Sequence, residues 1–294
     1  MSGTLGESLN QVLRPLRQVP EKLVGIDRLS DVAAPIRDAV SGAVPPGSDL
    51  NTVLSGTWMG HPLHPLLTDV VIGAYTGAVV VDLVGGRRGQ KSADRLLLLG
   101  LLAAAPTVAS GFNDWSTLGA PEQRVGVVHA AGNAVGNVLF TLSFVARKRK
   151  RRMRGRILAL AGLASSSFAG FLGGDLSFRR AAGVDRASLQ EAPSDWTVVA
   201  DDASVTEGRP VLADADGTPV VLVRSSGQVR ALIARCSHQG GPLHEGQVSD
   251  GCITCPWHQS RFRLSDGEAV SGPTAHPQPV LEVRVQGGKV EVRR

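Results

Sequence analysis

Aromatic side chains and cysteines are scarce in this chain of 294 residues: aromatics make up 4% of it, and three cysteines stand against 35 glycines. Residues 1–20 contain no continuous apolar core, so we expect no N-terminal signal peptide. No apolar segment is as uniformly hydrophobic as the anchor of a single-span membrane protein. The length predicts two or more domains, so the composition has to be read region by region.

Charge is divided unevenly along the chain. Residues 193–294 contain 10 Lys and Arg against 12 Asp and Glu, a net charge of −2. The preceding residues contain 21 against 14, a net charge of +7. A mildly acidic C-terminal part therefore follows a basic N-terminal part.

Four apolar segments occupy the middle of the chain. Each is close to the roughly 20 residues that a helix needs to cross a hydrocarbon core of about 30 Å. They lie at about 66–84, 95–113, 125–146 and 157–175. We expect these segments to form a four-helix bundle, and a membrane and a buried soluble core are the two environments to compare.

Polar and small residues in these segments favour the membrane. The strongly polar residues of the third segment are His129, Asn133 and Asn137, which lie four apart and therefore share one helix face. Small residues form seams of the kind that let membrane helices pack closely. The seams consist of Gly73 and Gly77, of Gly132 and Gly136, and of Gly162, Ser166, Gly170 and Gly174. We predict an α-helical transmembrane four-helix bundle in a bacterial-type cell membrane.

The connections between the four segments differ in charge. Residues 147–156, before the fourth segment, include eight positive residues, and residues 87–95 include four, whereas residues 113–124 have one. The positive-inside rule places the first and third connections in the cytoplasm, so the chain ends are expected to face outward. The run 147–156 is expected to lie against anionic lipid rather than nucleic acid.

Two short motifs in the C-terminal part combine metal-binding residue types. Cys236-Ser-His238 is followed, after sixteen residues, by Cys255-Pro-Trp-His258. Two thiolates and two imidazoles can hold a 2Fe–2S cluster in which histidines replace two cysteines on one iron. The same residues also fit a tetrahedral zinc ion. The third cysteine, Cys252, lies in an apolar strand-like stretch, where we expect a small buried hydrophobe.

The sequence around both motifs favours iron–sulfur over zinc. The first loop reads Cys-Ser-His-Gln-Gly-Gly-Pro-Leu-His-Glu-Gly, and the second reads Cys-Pro-Trp-His-Gln-Ser-Arg-Phe. Over roughly residues 193–294 the chain resembles the Rieske domain family. The resemblance implies that Cys236, His238, Cys255 and His258 are the ligands of a 2Fe–2S cluster.

The chain departs from the Rieske proteins of the cytochrome bc type. Gly241 and Trp257 stand where those proteins have two disulfide-bonded cysteines. Ser260 keeps a serine that donates a hydrogen bond to the cluster, but Phe262 replaces a tyrosine that donates another. Because such bonds raise the potential, we expect about −150 to 0 mV within a range of about −150 to +300 mV. Gln259 stands where the family usually has glycine, which tolerates positive φ.

The rest of the C-terminal part predicts β-strands. Runs rich in Val and Ile are separated by Asp216-Gly217, Ser226-Gly227 and Gly287-Gly288, which are typical of tight hairpin turns. The predicted strands are 219–224, 227–233, 281–286 and 289–293. About a hundred residues are enough for one core. We expect an all-β antiparallel barrel or sandwich that presents two cluster-binding loops at one tip.

The helical part has a motif of its own. Gly60-His-Pro-Leu-His-Pro opens the first apolar segment, and Gly111-Phe-Asn-Asp-Trp115 lies at the end of the second. Over about residues 55–175 this part resembles DUF2231, an uncharacterised bacterial family of four-helix membrane proteins. The resemblance implies a fold but no established activity.

Three histidines of the helical part are candidate ligands, because by the predicted topology they all lie near the outer face. They are His61, His64 and His129. One interpretation is haem b held by two histidines as a second redox centre. Another is a metal ion held by His61, His64 and either Asp69 or Asp114. The preferred interpretation is that these histidines only form hydrogen bonds near the helix ends.

The expected organisation is therefore multidomain. It comprises an N-terminal amphipathic or linker region at 1–55, a transmembrane domain at 56–176, a linker at 177–192 and a Rieske domain at 193–294.

We expect a membrane-anchored iron–sulfur protein that carries single electrons at low potential between the membrane and a redox partner protein or quinone. One alternative is the electron-supplying component of a Rieske-type oxygenase system. A second is an electron carrier with two redox centres, the second being haem b in the helical bundle, and a third is a redox sensor. An oxygenase needs a mononuclear iron held by two histidines and a carboxylate. Since no large catalytic domain follows residue 294, electron supply is the most that we expect of this chain in such a system.

Overall fold

The computed structural model describes residues 5–294, with side chains from Gln11 onward. The first four residues of the predicted N-terminal region 1–55 lie outside this described part. The helices that the structure describes are α1 (Leu5–Arg17), α2 (Val19–Val24), α3 (Arg28–Ala43), α4 (Asp49–Ser55), α5 (Leu63–Val84), α6 (Gln90–Ser116), α7 (Ala120–Lys148) and α8 (Arg152–Gly174).

Helices α5 to α8 coincide with the four predicted apolar segments. Each helix is longer than its segment at one or both ends, because helical hydrogen bonding continues into the flanking polar residues. All four are long and apolar enough to cross a membrane, judged by length and composition. The prediction of four apolar helices is therefore confirmed.

The chain divides into two compact units, which are described separately. The helical unit contains the chain up to Ala39 together with Leu67–Val108 and Leu118–Ala182. The second unit contains Val40–Leu66, Ala109–Thr117 and Gly183–Arg294. Two short stretches of the N-terminal half thus belong to the same unit as the C-terminal part.

The core of the helical unit is organised by two aromatic side chains. The rings of Tyr75 and Phe140 stack with their centroids 3.7 Å apart, and the Tyr75 hydroxyl donates a 2.7 Å hydrogen bond to Asn137. The predicted seam between α7 and α8 is present, because a β-carbon on Gly136 would collide with the side chain of Ser166. Gly73, by contrast, faces open space.

A buried charge cluster lies in the same unit. The Arg147 side chain at the end of α7 is fully buried and pairs with Asp82 of α5 and Asp94 of α6. Arg152, at the start of α8, donates 2.7 Å and 2.6 Å hydrogen bonds to the same two carboxylates. These two arginines therefore belong to an internal ion-pair network, and for the fully buried Arg147 the expected contact with lipid is wrong.

The C-terminal part is all-β, as predicted. The strands are β1 (Thr197–Asp201), β2 (Val211–Ala215), β3 (Thr218–Ser225), β4 (Gln228–Ile233), β5 (Gln247–Ser249), β6 (Cys252–Thr254), β7 (Arg261–Arg263), β8 (Ala269–Ser271), β9 (Val280–Gln286) and β10 (Lys289–Arg293). A six-stranded antiparallel sheet, in the order β1-β10-β9-β4-β3-β2, forms a nearly closed barrel, and β5 to β8 form a second sheet in sequence order.

Three two-residue turns connect hairpins of the larger sheet. Both residues of Asp216-Gly217, Ser226-Gly227 and Gly287-Gly288 have positive φ. This backbone matches the right-handed twist of paired strands, which explains why glycine occupies the second position. The four predicted strands correspond to β3, β4, β9 and β10.

Strand β3 is buried on both faces and divides two cores. Val220 and Leu222 pack into the barrel core, together with Val290 and Val292. Val221 and Val223 point to the opposite face and pack into a second core, which contains both motif cysteines. Because successive side chains of a strand alternate between faces, β3 joins the barrel to the loops that carry the motifs.

Candidate metal centre

The two motifs lie in two loops that fold back on their cysteines. The first loop follows β4, where the Cys236 N–H donates to the Gly241 carbonyl at 2.9 Å. The second loop connects β6 and β7, where the Cys255 N–H donates to the Ser260 carbonyl at 2.8 Å. Each loop is thereby closed into a tight turn that holds its cysteine and histidine on the same side.

A buried glutamine braces the first loop. The Gln278 side chain accepts a 2.9 Å hydrogen bond from the Ser237 N–H and donates to the carbonyls of Ile233 and Arg235 at 2.7 Å and 2.8 Å. It therefore ties the loop between the two motif residues to the end of β4.

The four predicted site residues come together as two pairs of like side chains. The thiols of Cys236 and Cys255 are buried and hydrogen-bonded to each other. The rings of His238 and His258 lie edge to face, with their centroids 5.1 Å apart. Among residues 5–294, no three His, Cys, Asp or Glu side chains converge closely enough to hold one metal ion. This pairing of thiol with thiol and imidazole with imidazole fits a group with two metal positions.

Backbone donors surround both sulfurs. The hydrogen bond with Cys236, together with hydrogen bonds from the N–H groups of Trp257 and His258, lowers the pKa of the Cys255 thiol to about 7. The same bond raises the pKa of Cys236, whose sulfur accepts from the N–H groups of His238 and Gln239. Such donors stabilise sulfur in its anionic form, which is the form that binds metal.

Both imidazoles are held in the neutral form. Burial lowers the pKa of His238 to about 3, and the nearby His258, His276 and Arg186 contribute to this shift. Burial also lowers the pKa of His258. Neutral imidazole is the metal-binding form of histidine. Both side chains are partly buried.

One nitrogen of His238 is suited to hold a metal. Its Nδ1 atom is buried and has no hydrogen-bond partner among the described residues. Its other nitrogen, Nε2, lies 3.3 Å from the Thr117 hydroxyl. A buried polar atom without a partner is costly unless a ligand satisfies it, so the residues present fit an iron–sulfur cluster.

Three positions compared with the Rieske family pattern in the sequence analysis can be located in the structure. Phe262 is fully buried in the second core and presents no hydroxyl. Ser260 is also fully buried, and its hydroxyl oxygen accepts a 3.2 Å hydrogen bond from the Thr274 N–H. Gln259 has a φ of +64°, so a non-glycine residue occupies the left-handed conformation that the family pattern predicts for this position.

The histidines of the helical part are not assembled as a metal site in the described residues. In the helical unit, His129 Nδ1 lies 2.7 Å from the Ala169 carbonyl and Nε2 lies 3.2 Å from the Asn133 amide, so both nitrogens are occupied. In the second unit, Nδ1 of the exposed His61 lies 2.8 Å from the Pro62 carbonyl. The His64 ring packs directly against Gly111. The observed contacts support the hydrogen-bonding interpretation.

Two residues that contribute to the centre were missed in the sequence. Gln278 lies 40 positions or more from the groups that it braces, and Thr117 is separated from His238 by 121 positions. A glutamine in a Pro-rich loop and a threonine after an apolar segment carry no signal for such distant contacts. Only the folded chain brings them to the first motif.

Comparison with known proteins gives two family matches. The family model described as Rieske [2Fe-2S] domain matches residues 195–284. The family model described as predicted membrane protein (DUF2231) matches residues 60–186. The matches support a 2Fe–2S cluster as the cofactor, and they give no support to haem b.

Individual relatives match the C-terminal part. The chain is 34% identical over 87 residues to the anthranilate 1,2-dioxygenase ferredoxin subunit of Burkholderia cepacia, which covers 30% of this chain and 81% of the relative. It is 36% identical over 74 residues to human apoptosis-inducing factor 3, which covers 25% of this chain and only 12% of the relative.

Among solved structures, the ferredoxin of carbazole 1,9a-dioxygenase from Nocardioides aromaticivorans IC177 is 30% identical, with a TM-score of 0.33. That match covers 34% of this chain and 98% of the other. The chain belongs to the Rieske [2Fe-2S] domain family, and its residues 60–186 are similar to the predicted membrane proteins described by the DUF2231 model.

Proposed function

We propose that the chain is a membrane-anchored, low-potential Rieske electron carrier in which Cys236 and Cys255 bind one iron and His238 and His258 bind the other. The observation that carries this proposal is the pairing of like side chains, together with the buried, unpartnered Nδ1 atom of His238. We place the domain boundaries at 56–176 for the membrane domain and at 193–294 for the Rieske domain.

The protein contributes the surroundings of the redox centre. When bound, a cluster of this kind accepts and releases one electron. The loop N–H groups stabilise the negative charge of the two cysteine sulfurs. The second core, which includes Leu243 and Phe262, excludes water from the sulfur side. The two neutral imidazoles lie on the less buried side, where an electron can enter or leave.

The proposed potential is low because hydrogen bonds to the cluster are few. Phe262 has no hydroxyl to donate, so Ser260 is the single side-chain donor in the two positions that matter in the cytochrome bc type. Hydrogen bonds to sulfur stabilise the reduced state, and losing one lowers the potential. We place the midpoint potential at about −150 to 0 mV.

The four apolar helices support anchoring in a bilayer. The connection between α7 and α8 is strongly basic, as is the one between α5 and α6, so the positive-inside rule favours an outward-facing Rieske domain. The electron partner would then be a protein on the outer side or a quinone within the membrane.

A second candidate function is electron supply to an oxygenase. The observation that favours it is the similarity to a protein named as the ferredoxin subunit of anthranilate 1,2-dioxygenase, of which the chain covers 81%. In this function the acceptor is a separate oxygenase component rather than a quinone.

The cluster assignment is tested on detergent-purified protein by iron and acid-labile sulfide analysis and by EPR after dithionite reduction. We expect two irons and two sulfides per chain, a rhombic EPR signal of a cluster with mixed nitrogen and sulfur ligands, and no Soret band. The variant Cys255→Ser should lose the cluster. Cys252→Ser is the matched control, because Cys252 is also buried and free, and it should keep the cluster. Zinc, or a cluster that survives Cys255→Ser, would contradict the assignment.

Orientation and partner need separate measurements. Alkaline phosphatase fused after residue 294 should be active if the Rieske domain faces outward, and a fluorescent protein at the same place should then stay dark. Oxidation of the reduced protein by a short-chain quinone or by a Rieske oxygenase component, followed in a stopped-flow instrument, discriminates between the two candidate functions. A fast reaction with the oxygenase component alone would reject the quinone function.

A further inference from the structure

Thr117 touches the proposed iron ligand His238 although it lies 121 positions earlier in the chain. It directly follows α6, it is buried, and its hydroxyl oxygen is 3.3 Å from His238 Nε2. Both residues belong to the second unit. The contact therefore lies within one compact body of the protein.

The direction of this hydrogen bond follows from the other partner of Thr117. The Thr117 hydroxyl is 2.9 Å from the Asp114 carbonyl oxygen. A carbonyl can only accept, so the single hydroxyl proton of Thr117 points to Asp114. The Thr117 oxygen then has only lone pairs to offer, and His238 Nε2 must carry the proton and donate it.

This direction fixes the tautomer of His238. With the proton on Nε2, the Nδ1 atom carries a lone pair. That atom is the one that is buried without a partner among the described residues. A metal-bound histidine is commonly held in the correct tautomer and ring orientation by a hydrogen bond from its other nitrogen.

We propose that Thr117 is a positioning residue for the iron–sulfur centre, which holds His238 in the Nε2–H tautomer with Nδ1 directed at iron. This inference rests on the proposed ligand set. Thr117 lies in the stretch matched by DUF2231 and outside the stretch matched by the Rieske domain. A property of the cluster thus depends on a residue that the Rieske domain itself does not contain.

The neighbourhood of Thr117 is rigid enough for this role. Asn113, one helical turn earlier and almost fully buried, donates a 2.9 Å hydrogen bond to Ser55 and accepts a 2.8 Å bond from Asn51. The segment that contains Asn51 is tied in turn to the loop after β8, since the Thr57 hydroxyl donates to the Thr274 carbonyl at 2.6 Å. These buried bonds fix the end of α6 within the second unit.

The hydrogen bond should lower the potential of the centre. If His238 binds iron, its remote N–H would be more acidic with ferric than with ferrous iron, so the hydrogen bond that it donates to Thr117 would be stronger in the oxidised state. Removing the acceptor therefore favours reduction. This effect has the opposite sign to the loss of a hydrogen bond that is donated to a cluster sulfur.

The test compares Thr117→Val with Thr117→Ser and Thr107→Val in the full-length, cluster-loaded protein. Valine keeps the shape but has no oxygen, whereas serine restores the hydroxyl. Thr107 lies in α6, and its hydroxyl donates to the Ala103 carbonyl at 2.7 Å, so it controls for a threonine-to-valine change in the helix that precedes Thr117. The readouts are an EPR-monitored redox titration and the nitrogen couplings of His238 in pulsed EPR.

We expect Thr117→Val to retain two irons and two sulfides and to raise the ratio of reduced to oxidised cluster at fixed potential about threefold. A threefold change in this ratio corresponds to a shift of about +28 mV in the midpoint potential, because a tenfold change corresponds to about 59 mV for a one-electron couple. Thr117→Ser should restore the original potential, and Thr107→Val should not change it. An unchanged potential and unchanged nitrogen couplings in Thr117→Val would overturn the inference while leaving the cluster assignment intact. Absence of a cluster in the unmodified protein would instead reject the proposed function itself.

Discussion

Gly241 of the first loop lies against Cys255 of the second, so closely that a β-carbon on Gly241 would be 2.9 Å from the Cys255 sulfur and 3.1 Å from the Trp257 ring. The contact lies where Rieske proteins of the cytochrome bc type have a disulfide, and it leaves no room for a side chain on Gly241.

Gly241→Ala should therefore separate the loops and weaken cluster binding. A β-carbon at less than 3.0 Å from sulfur requires backbone movement, and overpacking of this kind typically costs about 1–3 kcal/mol. We expect a lower iron content in purified protein and faster cluster loss in the presence of a chelator, measured by the decay of visible absorbance. Gly251→Ala is a control, because a β-carbon there meets open space, although its positive φ adds some strain. Equal cluster loss in both variants would contradict the role of Gly241.

Ser260→Ala should lower the midpoint potential. Ser260 is fully buried, and its oxygen accepts from the Thr274 N–H, which leaves its own proton available for a cluster sulfur. Losing a donor to sulfur destabilises the reduced state. A hydrogen bond contributes about 0.5–1.5 kcal/mol. Since about 1.4 kcal/mol corresponds to about 59 mV for one electron, the midpoint potential should fall by roughly 20–65 mV.

The measurement for Ser260→Ala is an EPR-monitored redox titration, and Phe262→Tyr is its counterpart. The tyrosine variant restores a hydroxyl at the second position and should raise the potential. A potential that stays constant in both variants would show that neither side chain directs a hydrogen bond to the cluster.

The sequence was informative where chemistry is local. The spacing in Cys236-Ser-His238 and Cys255-Pro-Trp-His258, the glycine-containing hairpin turns and the four apolar segments each depend on neighbouring residues, and the corresponding loops, strands and helices are present in the fold. Contacts between residues that lie far apart in the chain could not be predicted from the sequence. The partners of Gln278 and Thr117 are brought together only by the tertiary fold.

The positions of charged side chains were also only partly predictable from the sequence. The run 147–156 predicts a basic connection, and the connection is there. Periodicity could not reveal that Arg147 turns inward, because its pairing with Asp82 of α5 depends on how the helices pack. Likewise, the three-residue strands β5, β7 and β8 were not predicted, since runs of three residues carry too little alternation to be recognised.

Gln278→Leu should destabilise the first loop. The substitution leaves the Ser237 N–H and the carbonyls of Ile233 and Arg235 without their partner in a buried place. Each unsatisfied buried group costs about 1–3 kcal/mol. We expect a lower thermal midpoint and faster cluster loss. Gln286→Leu is the matched control, since Gln286 is exposed at the end of β9. Similar behaviour of the two variants would argue against the bracing role.

Asp266 should contribute to the change of the free energy of unfolding with pH. Hydrogen bonds from the Glu268 N–H and from Arg263 lower the pKa of this carboxyl below its usual value. A carboxyl with a lowered folded-state pKa stabilises the fold above its unfolded pKa of about 3.9. The contribution disappears as the pH falls through the folded-state pKa. The difference in melting temperature between the unmodified protein and Asp266→Asn should be constant from pH 7 to 5 and should shrink as the pH falls through the lowered pKa of Asp266. A difference that persists in acid would reject this assignment.

Arg147→Met should destabilise the helical unit more than any other substitution in the basic connection. The Arg147 side chain is fully buried against Asp82, whose own side chain is 3% exposed. Breaking a buried pair typically costs about 3–5 kcal/mol. Arg152 still pairs with Asp82 in the variant, so we expect the lower end of that range, measured by unfolding in detergent. Arg154→Met is the control, because Arg154 is exposed in the same connection.

A double-mutant cycle separates the ion pair from simple loss of packing. In Asp82→Leu the buried guanidinium of Arg147 keeps one carboxylate partner, Asp94 at 3.2 Å, and a 3.0 Å hydrogen bond to the Ser143 hydroxyl, so this single variant should also be destabilised. The double variant Asp82→Leu/Arg147→Met leaves no unpaired charge at either position and should recover part of the loss, because apolar replacement of a whole buried pair is often nearly neutral. The effects of the two single substitutions would simply add if Arg147 stabilised the bundle through its alkyl chain alone. The EPR signal of the cluster should stay unchanged in all three variants, since Asp82 and Arg147 both belong to the helical unit and the four proposed ligands belong to the second.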